Sequence, residues 1–274
     1  MKKLMSLIVA LFLNGLCAQE VGTFSDYETL DGFKTLRISD NICVRLYPAT
    51  FYGIQIKGPK NLKNIIKWEL KNSVLRLYTS QEDILASNVE ITVYTQDFEE
   101  LQLFDNAWVQ AAKKITVNHF EIHSTDNGTY EFPLACKSLT LVSDLESEGS
   151  LTMEAESVRL TSKGNSQISL KMEVTDVNID QTDESVVGLS GNAKTLSATL
   201  DKNSQLIAWG LQAEDVYLLS ANTGDISIYA RNRLKINGRG SATINVMGQP
   251  TQVDTISINK RTKIYFEQAS DLKK

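Results

Sequence analysis

Hydrophobic residues along the chain alternate with polar ones in short runs, and the runs recur at a fixed distance. An apolar-x-apolar triplet appears at Leu101/Leu103, Phe120/Ile122, Leu139/Leu141, Val158/Leu160 and Val177/Ile179. It continues at Leu196/Ala198, Val216/Leu218, Leu234/Ile236 and Ile256/Ile258. Successive triplets are 19, 19, 19, 19, 19, 20, 18 and 22 residues apart. A second apolar pair usually follows ten residues on, as at Tyr130/Phe132, Ile168/Leu170, Val187/Leu189, Leu206/Ala208, Ile226/Ile228 and Ile244/Val246. A third, smaller apolar position recurs at Ala155, Val174, Ala193 and Ala213. Polar bends separate the pairs: Asp126-Asn127-Gly128, Lys163-Gly164-Asn165, Asp201-Lys202-Asn203 and Asn237-Gly238-Arg239-Gly240. Asn and Gly tolerate left-handed backbone angles, so these stretches turn the chain.

Period-2 alternation puts one side chain of each neighbouring pair inside and the next outside, which means strands. No stretch keeps a helical period. Short strands and bends repeating every 19 residues describe one turn of a coil, with a perimeter of roughly 60 Å at about 3.3 Å per residue. The predicted class is therefore all-β, a parallel β-helix of about nine to ten turns stacked at about 4.8 Å. The general rule for crossover connections makes it right-handed. A β-sandwich of hairpins would also show regular short strands, but it needs no 19-residue translation with matched inward positions.

The same register appears earlier. The stretch 33–46 (FKTLRISDNICVRL) aligns without gaps on 98–111 (FEELQLFDNAWVQA), matching Phe, Leu, Asp, Asn and Val. Residues 33–47 thus read as a first turn, and 48–97 as an inserted excursion of alternating runs. Lys71-Asn72-Ser73 can close a hairpin within it. The excursion is expected to cap or flank one open end, since exposed β edges invite aggregation. The expected organisation is 19–97 for the first turn and insertion, 98–266 for the β-helix and 267–274 for a polar tail.

The first 18 residues change the compartment. Lys2 and Lys3 precede a ten-residue apolar run, 4–13, and Gly15-Leu16-Cys17-Ala18 offers small residues for cleavage after Ala18. This reads as a secretory signal peptide, too short to span a bilayer core. Lipid attachment at Cys17 is the rival, disfavoured because Leu16 fills the position where a small residue is usual. Cleavage removes two lysines and takes the formal charge from −5 to −7. No later stretch is apolar enough to anchor the chain, so the expected location is the periplasm, the outer cell surface or outside the cell. Cys43 and Cys136 remain; an oxidising compartment permits a bridge, but no spacing argument brings them together, and separate free thiols are expected.

An acidic balance argues against nucleic acid, which needs a basic face. Two histidines leave little for a multi-His metal centre or a histidine-dependent triad. His119, Glu121 and His123 share one outer face and are the candidate metal ligands. The outer pair is about 14 Å apart along the strand, so an ordinary solvated row is expected. Acids near the bends (Asp126, Glu146, Glu148, Asp183, Asp201, Asp225) have the oxygen chemistry of calcium ligands but form neither an EF-hand loop nor the glycine-aspartate nonapeptide of calcium-binding β-rolls, and turn solvation accounts for them. Trp108, Tyr229 and Tyr265 fall out of phase with inward neighbours and are the candidate ligand-stacking aromatics. No clustered carboxylates mark a catalytic centre, so no catalytic residue and no cofactor is assigned.

The chain resembles the auto-transporter adhesin, head GIN domain, family of bacterial envelope proteins. The likeness rests on Phe33-Lys34-Thr35-Leu36-Arg37-Ile38, Val44-Arg45-Leu46, Ile54-Gln55-Ile56-Lys57-Gly58, Val74-Leu75-Arg76-Leu77, Val89-Glu90-Ile91-Thr92-Val93 and Leu101-Gln102-Leu103. The C-terminal run from Gly238-Arg239-Gly240-Ser241 to Gly248-Gln249-Pro250 looks like the family's glycine- and serine-rich last turns. The chain departs by having fewer glycines in its middle turns. The resemblance implies adhesion at a cell surface and supplies no catalytic residues; the signal peptide, the solenoid and the lack of a concentrated active site point to a glycan or an envelope protein as the partner. The expected function is non-enzymatic binding, with oligomerisation open. A polysaccharide lyase or hydrolase using an outer groove, and a structural envelope component, are the alternatives.

Overall fold

The structure, a computed structural model, describes residues 22–80 and 88–267; the expected signal peptide (1–18) with Cys17, and the expected tail beyond 267, lie outside the described residues. The chain is almost wholly strand. No helix among the described residues is long and apolar enough to cross a membrane.

Strands β1 (Thr23–Thr29), β2 (Thr35–Ile38), β3 (Cys43–Pro48), β4 (Gly53–Pro59), β5 (Ile66–Lys71), β6 (Val74–Thr79) and β7 (Glu90–Thr95) build the N-terminal end. Next come β8 (Glu100–Leu103), β9 (Trp108–Gln110), β10 (Ile115–Thr116), β11 (His119–Ser124), β12 (Thr129–Ala135) and β13 (Ser138–Ser143). The long strands β14 (Glu148–Ser162), β15 (Gln167–Gln181), β16 (Val186–Leu200), β17 (Gln205–Ser220) and β18 (Asp225–Gly238) follow. Each of them serves the second half of one turn and the first half of the next. The chain closes with β19 (Thr243–Met247), β20 (Gln252–Thr255) and β21 (Lys263–Phe266). From β8 onward every pairing is parallel, and the whole is a β-solenoid of about nine turns.

Register confirms the 19-residue step in the middle: Ser138 lies beside Ser157, Asp176 and Thr195 in succession. It departs from the triplet reading at both ends. Leu101 pairs with Ile122, not Phe120, a step of 21 residues. Gln110 pairs with Glu131 but Ile115 with Leu134, so two extra residues are accommodated within 111–114. Phe120 packs edge-on against Phe98 instead, at 5.0 Å between ring centroids. At the other end Leu234 and Ile236 pair with Val253 and Thr255. Ile256 and Ile258, which the triplet pattern placed inside, are exposed because no further described turn covers them.

The excursion contributes a turn of its own. β6 and β7 lie parallel beside β2 and β3 on the side opposite β8 and β9. Leu75, Leu77, Ile91 and Val93 thereby extend the inner columns of Leu36, Ile38, Val44 and Leu46. β4 then pairs antiparallel with β7, β1 with β4, and β5 with β6. Asn72 and Ser73, both at positive φ, make the hairpin turn joining β5 to β6, which suits the right-handed twist of the flanking strands.

The core is a set of columns of Leu, Ile, Val, Phe and Ala. One inward column is polar: Ser124, Ser143, Ser162 and Gln181 stack in register, and Ser147, Ser166, Ser185 and Ser204 are buried beside it. These side chains serve the backbone of the bend. Ser124 donates to the Gly128 carbonyl at 2.8 Å, Ser204 to the Asp201 carbonyl at 2.9 Å, and Gln181 to the Gln205 carbonyl at 3.0 Å. Buried carbonyls need such partners. Asp40, Asp105, Asp126, Leu145, Gly164, Asp183 and Lys202 all take positive φ at this corner. Asp is among the few side chains that tolerate that region. Asp105 and Asp126 also accept N–H bonds from the preceding turn, at Asp40 and Asp105.

Tyr130 is the largest fully buried side chain. Its in-register neighbour on the next turn is Gly149, where an added Cβ would sit 2.1 Å from the ring. Gly149→Ala is therefore expected to destabilise the protein by about 1–3 kcal/mol through overpacking, and Tyr130→Leu in the same chain should recover part of it; denaturant unfolding of the three variants checks this. Cys43 and Cys136 are both free and half-buried. Burial pushes the Cys136 thiol up to about 11. Iodoacetamide at pH 8 should accordingly label Cys136 about two orders of magnitude more slowly than an unperturbed thiol, since the thiolate is the nucleophile; mass spectrometry over time gives the rate.

Candidate functional site

Outward residues also stack in register. On the second strand of each turn, Thr92, Arg45, Gln110, Glu131, Ser150, Ser169, Gly188 and Ile207 form one continuous row. It continues through Ser227 and Asn245 to Tyr265. Between Thr92 and Ile207 the row spans roughly 34 Å at about 4.8 Å per turn. Arg45, Gln110 and Glu131 on one side and Ile207 on the other bound the small residues Ser150, Ser169 and Gly188, and a hollow lies over them. Three hollows, of about 420, 480 and 410 Å³, succeed one another along the row. The first two share Arg45 and Gln110, and the last two share Glu131 and Ser150, which makes a single open trough along the solenoid axis.

Packing does not require the floor to be small. A Cβ added at Gly188 would meet nothing nearer than the Ile168 carbonyl oxygen at 3.8 Å. Glycine inside a strand costs roughly 0.5–1 kcal/mol against alanine, so the gap at this position is kept against local preference.

An aromatic cluster stands at the N-terminal end of the trough. Tyr47 and Tyr94 are in-register neighbours, two residues along from Arg45 and Thr92 and hence on the same face. Phe51 stacks on Tyr94 at 5.4 Å, Tyr47 tilts against it at 5.6 Å, and Tyr27 meets it edge-on at 6.2 Å. Tyr27, Tyr47 and Phe51 are exposed by 52%, 39% and 44%. Lys113, from the two-residue insertion, lies over the Tyr47 ring and donates to its hydroxyl at 2.6 Å. Such rings offer an apolar face and a polar rim together, the combination that stacks on the C–H face of a sugar ring while bonding its hydroxyls.

Of the aromatics expected from sequence, Trp108 is exposed at the trough edge beside Cys43 and Gln110. Tyr265 is exposed at the far end of the row, and Tyr229 is half-buried. The three are not brought together. The Tyr27–Tyr47–Phe51–Tyr94 cluster escaped sequence reading because it depends on pairing across the excursion. Trp209, 52% exposed, escaped because a bulge displaces it: Gly188 pairs with Ile207 but Ser190 with Gly210. The 20-residue step at this turn was its only signal.

The candidate metal ligands lie on the other sheet, that of the first strands. Glu121 and His123 share the outer face of β11, with His123 Nε2 3.6 Å from a Glu121 oxygen and 4.0 Å from Glu100 Oε1. Glu100 joins them from the neighbouring turn, while His119 is outside the group and bonded to Ser138 at 2.7 Å. Among the bend acids, Asp126 accepts the Asp105 N–H, and Asp201 accepts that of Lys202. Asp183 accepts from Lys202 and from the Gly164 N–H, and the Lys202 hydrogen bond holds its carboxyl below the ordinary range.

Comparison with solved structures gives the same fold. A putative adhesin from Parabacteroides distasonis ATCC 8503 superposes with a TM-score of 0.66 at 16% identity, covering 90% of this chain and 98% of that one. A putative adhesin from Parabacteroides merdae ATCC 43184 gives 0.64 at 14%, covering 89% and 96%. A putative lipid binding protein from Parabacteroides distasonis ATCC 8503 gives 0.54 at 17%, covering 90% and 98%. No curated protein matches the chain. Two overlapping stretches, 32–152 and 138–250, match one family, and the chain belongs to it: the putative auto-transporter adhesin, head GIN domain.

Proposed function

We propose that the protein is a non-enzymatic, exported binding protein of the adhesin type, whose ligand is an extended glycan held along the trough. The observation that carries this reading is an aromatic cluster two residues along the strands from Arg45 and Thr92, beside an axial groove lined by Arg45, Gln110, Glu131, Ser150 and Ser169. A groove that crosses many turns suits an extended polymer, because successive turns present outward side chains at a constant spacing of about 4.8 Å. The family name and the names of the two adhesin neighbours support surface adhesion, and the apolar run at 4–13 supports export. A lipid, suggested by the name of the third neighbour, would want an enclosed apolar cavity; the hollows here are open and lined by polar and apolar groups together. A hydrolase or lyase would have to use Glu131 and Glu148, the carboxylates at the middle of the trough.

Glycan-array screening of the protein tests the reading. A polysaccharide should bind without being shortened, and Tyr94→Ala or Phe51→Ala should weaken it about tenfold or more, the loss expected at a central aromatic contact. Failure of every glycan, or unchanged affinity in both variants, would reject the proposal; progressive shortening of the polymer would replace binding by turnover. Gly188→Ala should raise stability by about 0.5–1 kcal/mol, whereas Gly188→Trp should keep the fold and block the trough, which unfolding curves and glycan binding measured side by side distinguish.

A further inference from the structure

The geometry points to a divalent transition-metal site formed by Glu100, Glu121 and His123 on the sheet of first strands, away from the glycan trough. Glu100 and Glu121 are direct in-register neighbours on adjacent parallel strands, and His123 is two residues along the same face from Glu121. One donor atom from each lies within 4.8 Å of the other two. The imidazole Nε2 stands 3.6 Å from Glu121 Oε2 and 4.0 Å from Glu100 Oε1. Two donors on one tetrahedral zinc ion are about 3.4 Å apart, so small side-chain rotations close the set around an ion.

The electrostatics ask for a cation here. Two carboxylates directly opposite on neighbouring strands repel each other, and among the described residues neither pairs with a lysine or arginine. Arginines also stand in these rows: Arg37, in register with Gln102, has its guanidinium over the Phe104 ring at 4.6 Å, and Arg159 lies two strands beyond Glu121, past Thr140. Glu100 is also held in place by its surroundings. Thr35 Oγ1 donates to Oε2 at 2.8 Å and Gln102 Nε2 to Oε1 at 2.6 Å, the type of outer support that orients metal-binding carboxylates.

The donor set selects the metal. An imidazole nitrogen with two carboxylates suits zinc and its first-row neighbours, whereas calcium and magnesium take all-oxygen shells. Three protein ligands leave at least one position open, and His123 and Glu121 are both exposed enough for water or a ligand oxygen to fill it. The ion would clamp two turns together at the irregular 21-residue step, where the backbone departs from the repeat.

Titration calorimetry of the chelator-treated chain with zinc chloride, and separately with calcium chloride, tests the site. One zinc per chain should bind, with no saturable calcium uptake. Glu121→Gln and His123→Ala should each weaken zinc by more than about tenfold, while His119→Ala binds as the parent does. Cobalt(II) in place of zinc should give a visible d–d absorption that His123→Ala abolishes. The assignment falls if zinc does not saturate, if calcium binds equally well, if binding survives His123→Ala, or if His119→Ala loses it as well. Glu121→Gln is isosteric and exposed, so it keeps the test valid should another variant fold poorly.

Discussion

The constraint on which this structure depends is equal perimeter. Each turn hydrogen-bonds through its backbone to the turn before and after, so equivalent residues must arrive at equivalent places on every turn, every 19 residues in the middle of the solenoid. Inner side chains then stack on their own counterparts, and a column of leucine on valine on isoleucine buries itself without any long-range design. The same rule fixes where irregularity can go. An extra residue cannot be absorbed by the core, so it must be pushed outward as a bulge. The insertion within 111–114 and the displacement of Trp209 are two such extrusions, and the first places Lys113 on the Tyr47 ring.

The two ends meet the same difficulty differently. At the N-terminal end β1, β4 and β5 reverse direction, which ends the parallel stacking with antiparallel strands that carry charges such as Asp26, Glu28, Lys67 and Glu69. Charge on an edge strand is a standard defence against further pairing. The last turn carries no such cover among the described residues, and Val253, Ile256, Ile258 and Phe266 are exposed there.

How much of this was legible in the sequence follows from what the perimeter rule controls. The central turns were readable because their inward positions repeat without interruption, as in Val158, Val177 and Leu196. Reading failed where the period changes. Phe120 looks equivalent to Leu101 by spacing, yet two residues in the intervening bend shift it out of register. The serine column was invisible as core, because Ser143 and Ser162 are inward yet polar; they meet the Tyr130 and Ser166 hydroxyls, while Ser124 and Gln181 in the same column serve bend carbonyls. The candidate metal group was half legible: Glu121 and His123 share a strand, but Glu100 joins them through a 21-residue step that no uniform repeat would give. The aromatic cluster was the least accessible, since Tyr47 and Tyr94 meet only after the chain has left the solenoid and returned.

The outer row is where stability and use separate. Strand interiors favour β-branched and aromatic residues and disfavour glycine, and an outward position in a parallel ladder imposes nothing further. Ser150, Ser169 and Gly188 are therefore poor choices for holding three adjacent strands together, and Gly188 has room for a side chain that it does not carry. Tyr130 and Gly149 show the opposite case, a glycine demanded by a neighbour in the core. The second glycine is demanded by a side chain, whereas the first only adjoins a bulge in the facing strand. Gly188 borders the register shift opposite Trp209, so the low floor of Ser150, Ser169 and Gly188 adjoins the one place in these turns where the ladder itself is irregular.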